Sequence, residues 1–205
     1  MLTLEQVVEG AAERGEFVHL MFEQRVFDLV GTLKKFSDPL QQAGVPHEVI
    51  GGLAVFIHVE HADSTHSSLT RDIDVLIRRA DLDRVIAVAG QHGFRYRRVS
   101  GIDMLLYGET TGARNAIHLS FSGEKVKDTY LAPAPDVCPV EVSLYGSTFR
   151  VIPVADLLRM KLTSFRDEDR VHIRGMDAAG LLTADVEASL PAELRARLQV
   201  TRETE

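Results

Sequence analysis

The sequence predicts an α/β protein, because strand-like and helix-like segments alternate and glycines stand at the joints between them. The pattern is clearest in the order strand, Gly-Gly turn, helix, polar loop, strand, helix, which takes in residues 47–50, 51–52, 53–61, 61–69, 70–78 and 81–92. Apolar residues recur at helical spacing in both helices, whereas the second strand contains a continuous apolar run. Gly93 follows the last helix at a position typical of a C-cap.

The flanking segments extend the pattern at both ends. Helices are predicted at residues 3–14 and 16–36, with a break at 37–39 and one further turn at 39–43. Later come a strand or irregular edge at 94–100, strands at 103–107 and 116–121, a turn at 108–112, a long connection at 127–139, a hairpin of 140–144 with 148–152, a helix at 154–165, a charged segment at 166–175, a short helix at 176–182 and surface helices to the end. We expect one compact unit made of an N-terminal helical segment (1–46), an α/β core (47–152) and a C-terminal helical segment (153–205).

Composition restricts the class of protein. The chain has 205 residues, of which 45% are apolar and 26% charged, as in an ordinary globular protein. No apolar run approaches the roughly 18 residues of a membrane span, and no signal peptide is recognisable. A single cysteine, Cys138, excludes an internal disulfide and fits a reducing compartment, so we expect a cytoplasmic protein without membrane contact. The net charge of −7 argues against wrapping of duplex nucleic acid.

Two carboxylates one residue apart mark the second strand. Asp72 and Asp74 are predicted to project to the same face, because side chains two positions apart on a strand point the same way. Their mutual repulsion is commonly offset by a divalent cation that prefers oxygen ligands. Alternatively, the two acids lie on an exposed strand end and pair with Arg71 or Arg78.

The Gly51-Gly52 pair stands where the first strand passes into a helix. Glycine there lets a ligand approach the backbone closely, and the N-terminus of the following helix favours an anion such as phosphate. A plain turn is the alternative. Acids that bind metal beside a turn that binds phosphate would together form a nucleotide site.

These two features make the chain resemble the nucleotidyltransferase superfamily. Within it, the chain resembles bacterial proteins related to AbiEii-type abortive-infection toxins, on the stretches GGLAV, LTRDIDVLI, IHLSFSGEKV and VADLLRMKLTSF. A helical lysine, Lys161, followed by Arg166 and Asp169, adds to the resemblance, which covers roughly residues 47–182. There are two departures: residues 53–71 make the gap between glycines and acids unusually long, and His118 stands where active members carry a third carboxylate.

The resemblance implies a mixed central sheet flanked by helices and a polymerase-like reaction. Asp72 and Asp74 would hold Mg²⁺ (or Mn²⁺), and a nucleoside triphosphate (NTP) would transfer its monophosphate to an acceptor. Gly51, Gly52, Arg71 and Lys161 would bind the nucleotide. The acceptor is left open between RNA, a protein side chain and a small molecule, as are a protein partner and a homo-oligomer.

His118 leaves three interpretations open. It acts as the catalytic base, it selects a softer metal than Mg²⁺, or catalysis is lost and the fold serves as a nucleotide- or partner-binding module of a toxin–antitoxin pair. It could also be an ordinary histidine on a sheet face. A separate hypothesis takes His58, His61 and His66 as zinc ligands of a hydrolase.

Overall fold

The computed structural model describes residues 24–68, 70, 72–108 and 116–204. Predictions for residues 3–14, for the first part of the helix at 16–36, for most of the turn at 108–112 and for Arg71 therefore lie outside the described residues. A helix, α1, covers residues 24–42. The strands are β1 (His47–Ile50), β2 (Ile73–Ile77), β3 (Phe94–Val99), β4 (Ile102–Tyr107), β5 (Ile117–Phe121), β6 (Val140–Leu144) and β7 (Ser147–Val151). The other helices are α2 (Gly51–Ala62), α3 (Leu82–Gln91), α4 (Val154–Ser164), α5 (Asp167–Ala178), α6 (Ala184–Ala188) and α7 (Ala192–Glu203), and short 3₁₀ turns occur at Ser64–His66 and Arg79–Asp81.

Seven strands of the described chain form one sheet in the order β3-β4-β5-β2-β1-β7-β6. β2 lies at the centre, antiparallel to β1 and parallel to β5, and β1 runs parallel to β7. The two outer pairs, β3–β4 and β6–β7, are antiparallel hairpins. The sheet is therefore mixed and flanked by helices, which confirms the predicted fold class.

Helix α2 lies at the centre of the core. Its residues from Gly52 to Val59 are all buried, so it lacks the polar face of a surface helix. It packs against β1, β2, α4 and α5. β1 ends at Ile50 and α2 begins at Gly51, with no loop between them. Because β1 pairs with β2, the turn between β1 and α2 lies beside β2.

Several predicted element boundaries are wrong. The predicted break at residues 37–39 is absent, since α1 continues through Pro39 to residue 42. Proline inside a helix lacks the amide hydrogen, but Phe36 and Leu40 are fully buried, and their burial offsets that lost hydrogen bond.

Helix α5 takes in most of the charged segment at 166–175 and ends at Ala178, so the separate short helix predicted at 176–182 is absent. Three acidic residues occupy its first turn, where they interact favourably with the positive end of the helix dipole. Asp169, Ile173 and Met176 are buried at spacings of four and three, so the helix has a core-facing stripe that begins with a carboxylate. No helix of the described residues is long and apolar enough to cross a bilayer.

Candidate functional site

A cavity of about 320 Å³ opens where β1 passes into α2. Its walls come from the start of α2, the face of β2 and β5, the helices α4 and α5, and the connection at residues 126–135. Asp72, Asp74 and His118 lie on one side, and Lys161, Asp169 and His172 lie on another. The structure thus brings the described predicted site residues, including Gly51 and Gly52, into one cavity.

Asp74 occupies the space beside Gly51. The two strands pair so that Asp74 lies opposite Ile50, the residue immediately before the turn. A Cβ placed on Gly51 would collide with the Asp74 carboxylate, lying 2.9 Å from Cγ and even closer to Oδ2. Gly51 also has φ +69°, a conformation that side chains disfavour. The turn therefore needs glycine for both its backbone conformation and its contact with Asp74.

Asp72 lies just outside β2, which begins at Ile73 rather than at residue 70 as predicted. Asp72 is exposed and Asp74 is partly buried, and both line the cavity. The two acids thus differ in how freely they can move, because Asp74 is held by the sheet and Asp72 by a loop.

His118 lies beside Asp74 on the neighbouring strand. β2 and β5 are parallel with Asp74 in register with His118, and Nδ1 of the ring is 3.5 Å from Oδ1 of Asp74. Interaction with the Asp74 carboxylate raises the pKa of His118 against the opposing effect of burial, and the charge of Asp72 adds to the increase. The imidazole thus faces the carboxylates as a partner for their negative charge.

Gly52 brings the first turn of α2 close to two further side chains. A Cβ on Gly52 would lie 2.9 Å from Cβ of Thr70 and 3.3 Å from Cε1 of His172. The space beside Gly52 is therefore closely packed, and the first turn of α2 contains no acidic residue.

A buried ion pair forms another part of the cavity wall. Nζ of Lys161 donates to Oδ1 of Asp169 at 2.9 Å, and both side chains are almost fully buried. Asp169 Oδ2 accepts from Ser164 Oγ at 2.6 Å and from the backbone N and Nε of Arg166 at 3.1 and 3.0 Å. Burial opposes ionisation of Asp169, but the Lys161 charge and these donors outweigh it and lower the pKa to about 2.

His172 belongs to the same wall, although the sequence indicated no role for it. Its Nδ1 lies 3.1 Å from Nζ of Lys161. Residues three positions apart are neighbours on a helix, so a helix predicted over residues 167–178 would have placed His172 next to Asp169. That helix was not predicted, because the segment contains many charged residues.

Two acids that follow β5 in the chain do not line the cavity. Glu124 pairs with Arg79 at 2.6 Å, and Glu141 is exposed on the edge strand β6. The zinc hypothesis for His58, His61 and His66 finds no support, because the described residues contain no group of three or more His, Cys, Asp or Glu side chains arranged for a metal ion. His58 and His61 each use one ring nitrogen to donate to a backbone carbonyl, that of Ile152 and that of Ser143.

The donor set of the cavity suits a hard cation that also binds phosphate. Within the described residues no group of three or more His, Cys, Asp or Glu side chains is arranged for a metal ion. Asp72 and Asp74 nevertheless offer carboxylate oxygens at one edge of the cavity. Mg²⁺ is commonly held by one or two carboxylates, with waters and substrate phosphates completing its shell, so the two acids fit such an ion.

The chain shares its fold with solved structures of nucleotidyltransferases. The antibiotic-resistance factor ANT(2'')-Ia in solution shares it with a TM-score of 0.53 and 15% identity, over 85% of this chain and 92% of that one. A crystal structure of ANT(2'')-Ia in complex with adenylyl-2''-tobramycin matches with a TM-score of 0.53 and 16% identity, over 84% of this chain and 98% of that one. An antigenic nucleotidyltransferase-like protein from Paracoccidioides brasiliensis matches with a TM-score of 0.52 and 13% identity, over 87% of this chain and 88% of that one.

Comparisons of the sequence itself found no related protein. No protein-family model matches the chain, and no curated protein matches it. The nucleotidyltransferase resemblance is thus supported at the level of fold, whereas the narrower AbiEii-type likeness finds no support among these neighbours.

Proposed function

We propose that this protein is a metal-dependent nucleotidyltransferase that moves a nucleoside monophosphate from an NTP to an acceptor. The observation that carries the proposal is the fit of Asp74 into the space left by Gly51, with Asp72 beside it on the wall of the same cavity. That arrangement joins a pair of acids to a helix N-terminus, and the two bind different parts of a metal–triphosphate complex.

Asp72 and Asp74 would hold the cation, Mg²⁺ or Mn²⁺. When bound, such an ion supplies positive charge that stabilises the phosphate oxygens during transfer. The amides at Gly51 and Gly52 would receive the triphosphate, and Lys161, at the cavity wall, would add a donor. Arg71 remains a predicted nucleotide contact.

In the reaction, an acceptor oxygen forms a bond to the α-phosphorus and the bond from that phosphorus to the bridging oxygen breaks. Pyrophosphate leaves, and the acceptor gives up its proton. We assign His118 as the residue that faces this proton, because its register beside Asp74 places the imidazole among the acids. That His118 occupies the place of the third carboxylate of active nucleotidyltransferases remains a prediction.

The acceptor is open between RNA, a protein side chain and a small molecule. ANT(2'')-Ia, with the same fold, has been seen with adenylyl-2''-tobramycin, which favours testing small hydroxylated molecules first. The cavity also has an apolar side formed in part by Val126, Tyr130 and Met160, which fits a nucleobase or another organic group.

A binding module without catalysis is the second candidate, and the His118–Asp74 contact favours it. Imidazole brings no negative charge to a hard cation, so replacing an acid by histidine weakens a two-metal arrangement. In that case the fold would bind a nucleotide or a protein partner, as the non-catalytic half of a toxin–antitoxin pair of the AbiEii type.

The deciding experiment is a set of melting curves with Mg²⁺ or Mn²⁺ and each of the four NTPs. The variants are Asp72→Asn/Asp74→Asn and, as a matched control, Asp83→Asn/Glu193→Gln, which removes two exposed charges outside the cavity. An NTP at about 100 times its Kd should stabilise the protein by roughly 2.7 kcal/mol, a shift of several degrees. We expect that shift in the wild type and control and its loss in the first variant.

Release of pyrophosphate then separates the two candidates. A wild type that binds metal and NTP and releases pyrophosphate with an acceptor is an enzyme, whereas one that binds without any turnover is a binding module. No shift with any metal and NTP would contradict nucleotide binding altogether.

A further inference from the structure

The hydrogen bonding of His172 determines where its ring carries a proton. Nδ1 lies 3.1 Å from Nζ of Lys161, and Lys161 is in turn paired with Asp169. An ammonium group has hydrogens to donate and no lone pair, so Nδ1 must be the acceptor. Burial and the charge of Lys161 lower the pKa of His172 to about 4, so the ring is neutral near pH 7. A neutral ring that accepts at Nδ1 carries its proton on Nε2.

The imidazole ring of His172 lies beside the Gly-Gly turn. Cε1, which is bonded to both ring nitrogens, lies 3.3 Å from the position of a Cβ on Gly52. The side chain lines the same cavity as Asp72 and Asp74. Among the residues that the structure describes, Lys161 is the hydrogen-bond partner of this ring, and it uses Nδ1 alone. Nε2–H is therefore left to a ligand.

We propose that His172 is a substrate-binding residue whose Nε2–H donates a hydrogen bond to a phosphate oxygen of the NTP beside Gly52. The inference rests on the proposed function, which brings the triphosphate to that turn. A phosphate oxygen is the suitable acceptor, because the helix N-terminus next to it favours an anion.

Lys161 and Asp169 then have a second task as positioning residues. Two of the three ammonium hydrogens of Lys161 are directed to Asp169 and His172, and Asp169 balances its charge. The pair thereby holds one tautomer of His172 and leaves it uncharged. A fixed neutral donor costs little reorganisation when the ligand binds.

Two amide substitutions separate the ligand contact from the contact with Lys161. In His172→Gln the amide nitrogen reaches the place of Nε2, whereas in His172→Asn the amide oxygen reaches only the place of Nδ1. Asn therefore keeps an acceptor for Lys161 and loses the donor, and Gln keeps the donor. His92→Gln, at an exposed histidine outside the cavity, is the matched control.

The experiment is calorimetric titration of the full chain with Mg²⁺ and each NTP, and with Mg²⁺ and inorganic tripolyphosphate. We expect His172→Asn to weaken binding of both ligands by roughly tenfold or more, as for a lost hydrogen bond to a charged group. His172→Gln should stay within about threefold of the wild type, and His92→Gln should not differ. Nitrogen-15 NMR of the free protein should show the Nε2–H tautomer.

Several results would overturn the inference and leave the proposed function standing. These are wild-type affinity in His172→Asn, equal losses in the Asn and Gln variants, an effect on NTP without one on tripolyphosphate, and an Nδ1–H tautomer. A wild type that binds neither NTP nor tripolyphosphate overturns the proposed function and the inference together, so the two failures are distinguishable.

Discussion

The carboxylate of Asp74 fills the volume that a side chain at Gly51 would need. Ile50 and Asp74 are opposite one another in the β1–β2 pair, so the strand register places the acid against the turn. A Cβ at Gly51 would lie 3.0 Å from Cβ of Asp74 and closer still to its carboxylate. The acid of the candidate site and the glycine of its turn are therefore one packing unit.

Replacing Gly51 by alanine tests this unit, with Gly44→Ala as a control. Both glycines have positive φ, +69° and +65°, but a Cβ on Gly44 would meet nothing within 4 Å. Gly44→Ala should cost roughly 1 to 2 kcal/mol of unfolding free energy, from backbone strain alone. Gly51→Ala should cost more and should abolish the shift in melting temperature with Mg²⁺ and NTP, because Asp74 is displaced. Retention of that shift in Gly51→Ala would contradict the packing argument.

Replacing His118 by aspartate tests the prediction that a third carboxylate would belong at this position in an active nucleotidyltransferase. The substitution puts a second carboxylate in register with Asp74, so the metal-free protein should lose stability through repulsion of like charges. Mg²⁺ should then raise the melting temperature more than it does in the wild type, because an added carboxylate is an added oxygen ligand. His118→Asn is the neutral control. An equal response of the Asp and Asn variants to Mg²⁺ would contradict this placement.

Glu48 makes stability depend on pH. Its side chain is fully buried on β1, where Oε2 accepts from the Cys138 amide at 2.9 Å and Oε1 has no partner among the described residues. Burial raises the pKa of Glu48 from 4.5 to about 7. Between these values the unfolded chain binds fewer protons than the folded one, so wild-type stability falls as the pH rises from about 4.5 to 7.

Glu48→Gln should remove that fall. Relative to the wild type, the variant should gain stability as the pH rises, up to roughly 3 kcal/mol at pH 7 and above, and should gain little below pH 4.5. Urea unfolding at a series of pH values measures the difference. Glu141→Gln, at an exposed position of the same sheet, should show no such trend. A stability difference that is independent of pH would exclude titration of Glu48 as its cause.

Removing the charge of Asp169 should destabilise the protein strongly. Asp169→Asn leaves Lys161 buried without a counter-charge, which costs about 3 to 5 kcal/mol for pairs of this kind. Glu168→Gln, which breaks an exposed pair with Arg166, should cost less than about 1 kcal/mol. Chemical unfolding at pH 7 measures both. Adding Lys161→Met to Asp169→Asn should recover part of the lost unfolding free energy, because no unpaired charge is then buried. If the double variant loses the sum of the two single losses, the two residues do not stabilise the protein as a pair.

The ion pair of Lys161 and Asp169 also predicts that the protein loses stability at acid pH. The pKa of Asp169 is lowered from 3.8 to about 2, so its contribution to stability is complete above pH 3.8 and is lost as the pH falls towards 2. The stability difference between the wild type and Asp169→Asn should therefore shrink over that window and stay constant at higher pH.

Much of the fold could be predicted because its signals are short in range. The apolar run of β2, the glycines that end strands and the β6–β7 hairpin are all set by neighbouring residues, and the structure confirms the α/β class. One failure came where packing opposed a local rule, because Pro39 remains inside α1, where Phe36 and Leu40 are buried. The other came where a local signal was missed, because the three acids in the first turn of α5 favour a helix N-terminus.

The sequence by itself determined two groups available to the site: two acids one residue apart and a Gly-Gly turn before a helix. Spacing along one strand or one turn is sufficient to predict these, whereas the place of His118 at a third-acid position is what the resemblance to nucleotidyltransferases implies. Only the tertiary structure decided which groups meet. The register of β2 with β1 and β5 brings Asp74 to Gly51 and His118, and the packing of α5 against α2 and α4 brings His172 to Gly52 and Lys161. Such contacts depend on how separate elements pack, which local spacing does not specify.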